Sequence, residues 1–441
     1  MEINLTQADV VIVGGGLAGL SAACYLGRAG ARVTLFEKAA QLGGRASTQN
    51  YDGYMFNRGI HALYTGGAAS EVLHDLGISY SYGIAKGLCL LHEGQIYPLP
   101  LSPSSLLKSR LLKFGDKIEL ARFFSMLPRL RANEVAHISV QEWLERTIRR
   151  PMIRQLMNST ARVFVYSTAL DLVSAEVFVS RLQIALKHPV HYIEGGWQTL
   201  VEKLRQAAEQ AGVRIVQDSR IVSVEHQHGE VQGVRLHDGR VLAAANVILA
   251  TNSTDAVKLV DEGAYAPLCN IVDPLIPARV ACLDVALRRL PDPRHPAVQD
   301  LDGARFLSAH SCFTRVAPEN GALISTFKQL DPMYPGDAQQ DERDLEDLLD
   351  TVQPGWRDLL VKRVFLPRIE AMSMLPLASS GGYAGRPGPL VPGINRLYLA
   401  GDWIGAGFLA DPSMGSARHA AQLILQNGSL TTLNKTLVGS V

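Results

Sequence analysis

The segment Asp9–Glu37 restricts the fold more than any other stretch of this sequence. A short β-branched run, Asp9-Val-Val-Ile-Val13, is followed at once by Gly14-x-Gly16-x-x-Gly19, and Leu20–Ala29 is rich in Ala and Leu. The run Arg32-Val-Thr-Leu-Phe36 then ends at Glu37. This order predicts a strand buried on both faces, a tight turn whose Leu17 and Ala18 join the glycines at the cofactor, a helix over Leu20–Ala29, and a second strand. Gly14 permits the turn, Gly16 lets backbone approach a pyrophosphate, and Gly19 lets the helix pack closely on the strand. The helix N-terminus then faces the phosphates. Glu37, about 20 residues past the first glycine, is placed to accept from ribose hydroxyls and would repel a 2′-phosphate. The segment predicts a dinucleotide site, and on these residues alone NAD and FAD are equally allowed.

Other classes are excluded by simple counts. Lys and Arg total 43 against 42 Asp and Glu, a formal charge of +1, so the concentrated basic field that nucleic acid requires is missing. Cys24, Cys89, Cys269, Cys282 and Cys312 are widely spaced, with no CxxC pair. That argues against a disulfide framework and against a metal site, and predicts a reducing compartment. The uncharged stretch Val10–Gly27 approaches the length of a spanning helix, but three glycines interrupt it and no Lys or Arg precedes it. It lacks the basic start of a signal peptide. A chain of 441 residues would ordinarily divide into about three domains of ~150 residues.

Two further stretches bear on the ligand. Gln41-Leu-Gly-Gly-Arg45 brings two glycines and a cation just after Glu37, a turn that can run close to a ligand and meet pyrophosphate charge. Near the other end, Asn395-Arg-Leu-Tyr-Leu-Ala-Gly-Asp402 reads as an apolar strand ending in Gly401-Asp402, and Pro412-Ser-Met-Gly-Ser-Ala-Arg418 opens another helix. An acid at a strand end can hold a ribityl hydroxyl, and the helix start beside it can face a phosphate or a flavin carbonyl.

Glu37, Gly43-Gly44-Arg45 and Ala400-Gly401-Asp402 together resemble the FAD-dependent superfamily of phytoene desaturases, protoporphyrinogen oxidases and amine oxidases. Tyr192-Ile-Glu-Gly-Gly-Trp-Gln-Thr-Leu200 is similar to the Gly-Gly turn that leads a helix back into the FAD domain, and Asp218–Val224 to the strand whose backbone, near Ile221, touches adenine. The matching blocks are roughly 8–80, 190–260 and 365–425, about half the chain. The resemblance implies an α/β fold of two interleaved domains. A Rossmann-like FAD-binding domain would be assembled from 1–84, 190–264 and 366–426, and a substrate domain of sheet plus helices from 85–189 and 265–365. Residues 427–441, polar and without periodicity, are expected to form a disordered tail.

The same resemblance extends the cofactor set to Lys38, Gly59, Ile60, His61, Met414, Gly415 and Ser416. His61 would lie near the isoalloxazine, as a proton acceptor, a donor to the flavin, or a histidine hydrogen-bonded beneath it. Arg58 could balance charge on reduced flavin. Trp403, Phe408 and Tyr383 are candidate cavity walls, and Lys328 a candidate flavin-facing lysine by position. Tyr383 stands where monoamine oxidases carry a flavinylated cysteine, so FAD is expected to be non-covalent.

The runs Gly401-Asp402-Trp403 and Gly59–Tyr64 look more like the squalene- and phytoene-desaturase-type branch. The favoured expectation is an enzyme dehydrogenating a small apolar, isoprenoid- or carotenoid-like substrate by hydride transfer to flavin N5. Amine or porphyrinogen oxidation, a redox-neutral FAD-dependent isomerase and a non-catalytic FAD-binding module are the alternatives. No second GxGxxG follows a strand, so O2, a quinone or another acceptor would reoxidise the flavin. The helical stretch 101–131 mixes Leu, Phe and Met with seven Lys/Arg. It suits either the lining of the substrate domain or peripheral membrane contact from the cytoplasmic side. Residues 213–251 read as a β meander split by Gly229, Gly233 and Gly239, Arg279–Ala286 and Gly321–Phe327 as strands flooring the substrate cavity, and Asp337–Leu349 as an acidic, solvated helix.

Overall fold

The computed structural model describes residues 8–100, 102–334 and 336–427. The expected tail begins at Asn427, which caps a helix; the rest of it lies outside the described residues. β1 (Ala8–Val13), α1 (Leu17–Arg28) and β2 (Val33–Phe36) form a parallel βαβ unit, with Val10 opposite Val33 and Val13 opposite Phe36. Val10, Val11 and Ile12 are fully buried, which is why the strand is apolar throughout rather than alternating. Arg214–Val216 joins beyond β2, and Val241–Leu249 joins beyond β1, both in parallel. Leu397–Leu399 pairs in parallel with Val247–Leu249.

The antiparallel strands Ile221–Gln227 and Glu230–Leu236 complete this sheet as a meander. Gly229 and Gly239 stand at its turns, whereas Gly233 lies inside a strand. A Cβ there would strike the Leu242 carbonyl of the neighbouring strand, so this glycine serves close backbone approach. On one face of the sheet α1 packs with the C-terminal helix Ala410–Gln426. Ala22 and Ala23 share a core with Ala417, Ala420 and Ala421, and these small side chains let the two helices sit close together.

A second sheet runs Leu360–Met372, Ala278–Leu287, Ala322–Gln329, Arg305–Ala309, Ala297–Asp300, Leu88–His92 and Gln95–Pro98. Its first strand passes continuously through the expected boundary between 365 and 366. Side chains along a strand alternate between faces, and this sheet uses both. Val280, Cys282, Phe306 and Phe327 pack beneath helices Pro151–Val165 and Ala175–Lys187. Ala281, Leu283, Val285 and Ile324 pack instead against Leu345, Leu348 and Leu349 of the acidic helix Ala338–Val352. That helix is therefore amphipathic, not simply solvated.

The acidic helix also engages Lys328, the candidate flavin-facing lysine. Lys328 Nζ reaches Asp341 (2.8 Å) and Asp344 (2.5 Å) on it, because Lys328 points to the helix-covered face. The helices Pro103–Lys108 and Phe114–Met126 divide between the two readings of their stretch. Leu120 and Phe123 are buried in the core, while Leu107 and Phe114 are 74% and 79% exposed. Among the described residues no helix is long and apolar enough to cross a membrane.

Candidate FAD and active site

Between the two sheets runs a groove of about 890 Å³. At one end Gly14, Gly16, Leu17 and Ala18 line it. Gly14 adopts φ +110°, and a Cβ there would meet the Ala250 carbonyl. A Cβ on Gly19 would meet the Gly14 carbonyl, so Gly19 supports the turn from behind without lining the groove. No side chain caps α1, which leaves its first-turn amides free for a phosphate. Gly43, at φ +114°, donates its N–H to the Gly15 carbonyl (2.8 Å) and lies beside Gly16. Two backbone runs thus form one side-chain-free cradle, a fit to a pyrophosphate.

Glu37 lines the same end but is already engaged. Its Oε2 accepts from Gly15 N (2.7 Å) and Oε1 from Ala39 N (2.9 Å). Lys38 beside it pairs with Asp255 at 2.8 Å. Ile221 lines this end with Ser219, Arg220 and Lys258.

At the other end Gly44, Arg45, Arg58, Gly59, Ile60 and His61 line the groove, facing Gly401 and Asp402. Arg45 Nη2 and Nη1 donate to the two oxygens of Asp402 at 2.5 and 2.8 Å. Ser373 adds its N–H (2.8 Å) and Oγ (3.0 Å). Asp402, expected to hold a ribityl hydroxyl, therefore first organises protein groups. Burial pushes its carboxyl up, but the Arg45 charge and these donors outweigh burial and hold it below the usual range. Arg386 grips the Asp402 backbone carbonyl and Gly407 O from behind, and burial pulls its guanidinium down to about 10.

His61 Nδ1 lies 2.9 Å from Gly59 O. A carbonyl can only accept, so Nδ1 carries the proton and Nε2 the lone pair. Burial lowers its pKa against the pull of the Gly59 and Arg45 backbone carbonyls, with the Arg45 and Arg58 charges adding to burial. The ring meets Trp197 edge-on at 5.2 Å. Trp197 Nε1 is buried without a partner and the residue lines the groove, a donor available to a bound ring system.

Met414, Gly415 and Ser416 stand one turn too far along the last helix. That helix begins at Ala410, so Leu409, Ala410 and Ser413 face the groove. Met414 enters the core, Gly415 packs on Ala68, and Ser416 Oγ accepts from Gly401 N at 2.9 Å. Trp403 and Phe408 are likewise core residues. Tyr383 packs on that second core, with its N–H on Glu176, so none of the three lines the groove.

The second sheet gives the groove a wall: Val280 and Cys282 come from the strand expected to floor the cavity, whereas Leu366, Ile369 and Ala371 were missed by sequence reasoning. Tyr166 and Ser373 were missed as well. Only Trp197, directly after Gly195-Gly196, stood in a motif that could have flagged it. Burial raises the Cys282 thiol well above its ordinary value, which keeps it protonated and unreactive.

Residues 17–425 match the family described as flavin containing amine oxidoreductase. A phytoene desaturase of Cercospora nicotianae is 27% identical over 295 residues, covering 58% of this chain and 46% of that one. The chain thus spans about half, or less, of the length of the carotenoid-modifying relatives it matches. A coproporphyrinogen III oxidase of Propionibacterium freudenreichii is 22% identical over 424 residues, covering 80% and 78%. The crystal structure of an oxidoreductase from Methanosarcina mazei superposes with a TM-score of 0.77 at 18% identity, covering 94% of this chain and 99% of that one, which shows a common fold. The chain belongs to the flavin-containing amine oxidoreductase family, and its cofactor is FAD.

Proposed function

We propose that this protein dehydrogenates an apolar, isoprenoid- or carotenoid-like molecule, with FAD held non-covalently in the groove. The observation that carries the reading is the second sheet's contribution to the flavin end of the groove. Val280, Cys282, Leu366, Ile369 and Ala371 offer an apolar surface, which suits a hydrocarbon; Glu370, the carboxylate between them, already accepts from Ser373 Oγ at 2.6 Å. The likeness to the phytoene desaturase of Cercospora nicotianae supports the same class.

When bound, FAD supplies the hydride acceptor, its N5. The protein's part is placement and proton control. Tyr166, Trp197 and Leu409 line the groove beside the substrate, and His61, its Nδ1 engaged by Gly59 O, presents Nε2 as a proton acceptor. With the substrate as reductant, O2, a quinone or a similar acceptor completes the cycle.

The exposed Leu107, Phe114 and Ile118 (55% exposed), interleaved with Lys108, Arg110, Lys113 and Lys117, support peripheral docking on an anionic membrane from the cytoplasmic side. Such docking would deliver a lipid-soluble substrate. Incubating the holoenzyme with a polyene and a quinone, then weighing the product, tests the activity. A product lighter by two hydrogens is expected; no change with any polyene, alongside turnover of an amine, would replace this reading with amine oxidation.

A further inference from the structure

A second cavity, an open cleft of about 580 Å³, shares no lining residue with the groove. Tyr82 and Ile84 of the strand Tyr82–Ile84 form one wall and Phe313 another, with the exposed Lys86 and Arg294 at the rim. Gly83 makes the arrangement possible. A Cβ there would strike the Phe313 carbonyl, so the strand lies against that segment only as glycine. Tyr82 stacks on His191 with centroids 3.4 Å apart and planes 8° from parallel, yet is 48% exposed. A ring held on one face and exposed elsewhere is a platform for a second planar ring. Arg294 shares its charge with Asp292, 2.7 Å away, which leaves Lys86 to supply most of the positive field. No carboxylate stands among the described residues that line the cleft. These walls suit a flat apolar ring whose oxygens gain negative charge.

The cleft backs onto the flavin end of the groove. Tyr82–Ile84 pairs with Val190–Ile193, which pairs in turn with Leu63–Tyr64, and Ile84, His191 and Leu63 stand in one row across this small sheet. Two strand spacings put the Ile84 backbone about 10 Å from that of Leu63, just beyond the groove residue His61. A row of rings runs the same way. Phe313 lies 5.3 Å from Tyr192, and Tyr192 lies 4.8 Å from His310. Burial, and then the nearby His61, lower the buried His310 imidazole to about 3, so that ring stays neutral.

We propose that this cleft binds a quinone, which takes electrons from the reduced flavin across the short row His310, Tyr192 and Phe313. FADH2 gives up two electrons and two protons and returns to FAD. The quinone takes up two electrons in the cleft and two protons from solvent, and leaves as the quinol; the flavin's protons pass to solvent, so the exchange balances. The acceptor then need not displace substrate or product from the groove. The inference rests on the reading that a substrate reduces the flavin there, and adds the site at which that reduction is reversed.

The test mixes holoenzyme, its FAD photoreduced without substrate, with duroquinone under anaerobic stopped flow and follows the return of the oxidised-flavin band. The rate is expected to level off as duroquinone rises. Tyr82→Ala and Lys86→Glu, made separately at exposed positions, should each raise the half-saturating concentration about tenfold. Reoxidation by O2, which needs no platform, should proceed in both variants as in the wild type. Equal half-saturation in all three proteins, or a rate that climbs linearly with duroquinone, overturns the proposal. So does an O2 rate that falls as far as the quinone rate, since the substitutions would then act on the flavin itself. Photoreduction bypasses the substrate and keeps the two readings apart. If no polyene bleaches the flavin, the dehydrogenase reading fails and a saturable, cleft-dependent quinone rate still stands; bleaching by a polyene with a linear quinone rate does the reverse.

Discussion

Arg45 and Asp402, 357 residues apart in sequence, meet in a two-pronged ion pair at 2.5 and 2.8 Å. The pair ties the glycine turn after β2 to the strand end before the last helix, so one contact closes the flavin end of the groove. Asp402 is buried whereas the Arg45 side chain is 42% exposed; the cost of breaking the pair falls mainly on the carboxylate and its Ser373 donors.

Asp402→Asn is therefore expected to cost about 1–3 kcal/mol of stability and to lower FAD occupancy. The sign of the pH effect follows from a depressed folded pKa. The contribution of Asp402 is present above the ordinary carboxylate range, about pH 4, and is lost as pH falls through the lower folded value. FAD retention measured across that acid range should fall in the wild type and fall less steeply in Asp402→Asn. Parallel curves would assign the acid sensitivity elsewhere.

Glu37 holds Gly15 N and Ala39 N with separate oxygens, and so shapes the turn beneath the cradle as well as offering charge toward the ribose. Glu37→Gln replaces one acceptor with a donor that opposes an N–H. Charged hydrogen bonds of this kind contribute ~1.5–3 kcal/mol, so reconstitution with FAD, followed by quenching of flavin fluorescence, should weaken about tenfold. Unchanged affinity would show that the turn keeps its shape without the acid.

Asp284 lies in the second sheet opposite Ser325, 1% exposed, with Oδ1 unpartnered. Burial pushes its carboxyl up to about 7, though Ser325 resists. A raised folded pKa gives stability that is complete below the unfolded value and is lost as pH rises through about 7. Asp284→Asn should thus be more stable than the wild type at and above neutrality, by an amount on the order of 2–4 kcal/mol, a difference that shrinks as pH falls and vanishes near the ordinary carboxylate value of about 4. Melting curves across that range check it, and a variant less stable at every pH would show that Asp284 is ionised and paired.

Flotation on anionic vesicles should carry the protein upward, and Lys108/Lys113/Lys117→Glu together with Phe114→Ser should keep it at the bottom of the gradient. Each surface cation contributes ~1 kcal/mol at such a membrane, so the combined loss would be plain. Equal flotation of wild type and variant would remove the docking proposal.

Much of the nucleotide end was legible because its signals are local. The β-branched run, the three glycines and Glu37 each act within a few residues of one another, and β1–α1–β2 follows. The flavin end depends on contacts made at a distance. Ser373 sits just past a strand with no motif around it, and its place beside Asp402 arises from sheet packing alone. Pro412 suggested a helix start, yet Leu409's unusual backbone begins the helix at Ala410, which turns Ser413 rather than Met414 to the groove. The many acids of Asp337–Leu349 mask Leu345, Leu348 and Leu349, whose i, i+3, i+4 spacing is the pattern of a buried face. Lys328 follows the same face, since its partners Asp341 and Asp344 lie on that helix.

The central claim is that an apolar polyene, not an amine, reduces the FAD held in this groove. Anaerobic titration of the holoenzyme with an isoprenoid polyene, a primary amine and a porphyrinogen in separate cuvettes tests it most directly. The account predicts loss of the oxidised-flavin absorbance with the polyene and a stable band with the amine. Bleaching by the amine or the porphyrinogen, with the band unmoved by the polyene, would contradict it.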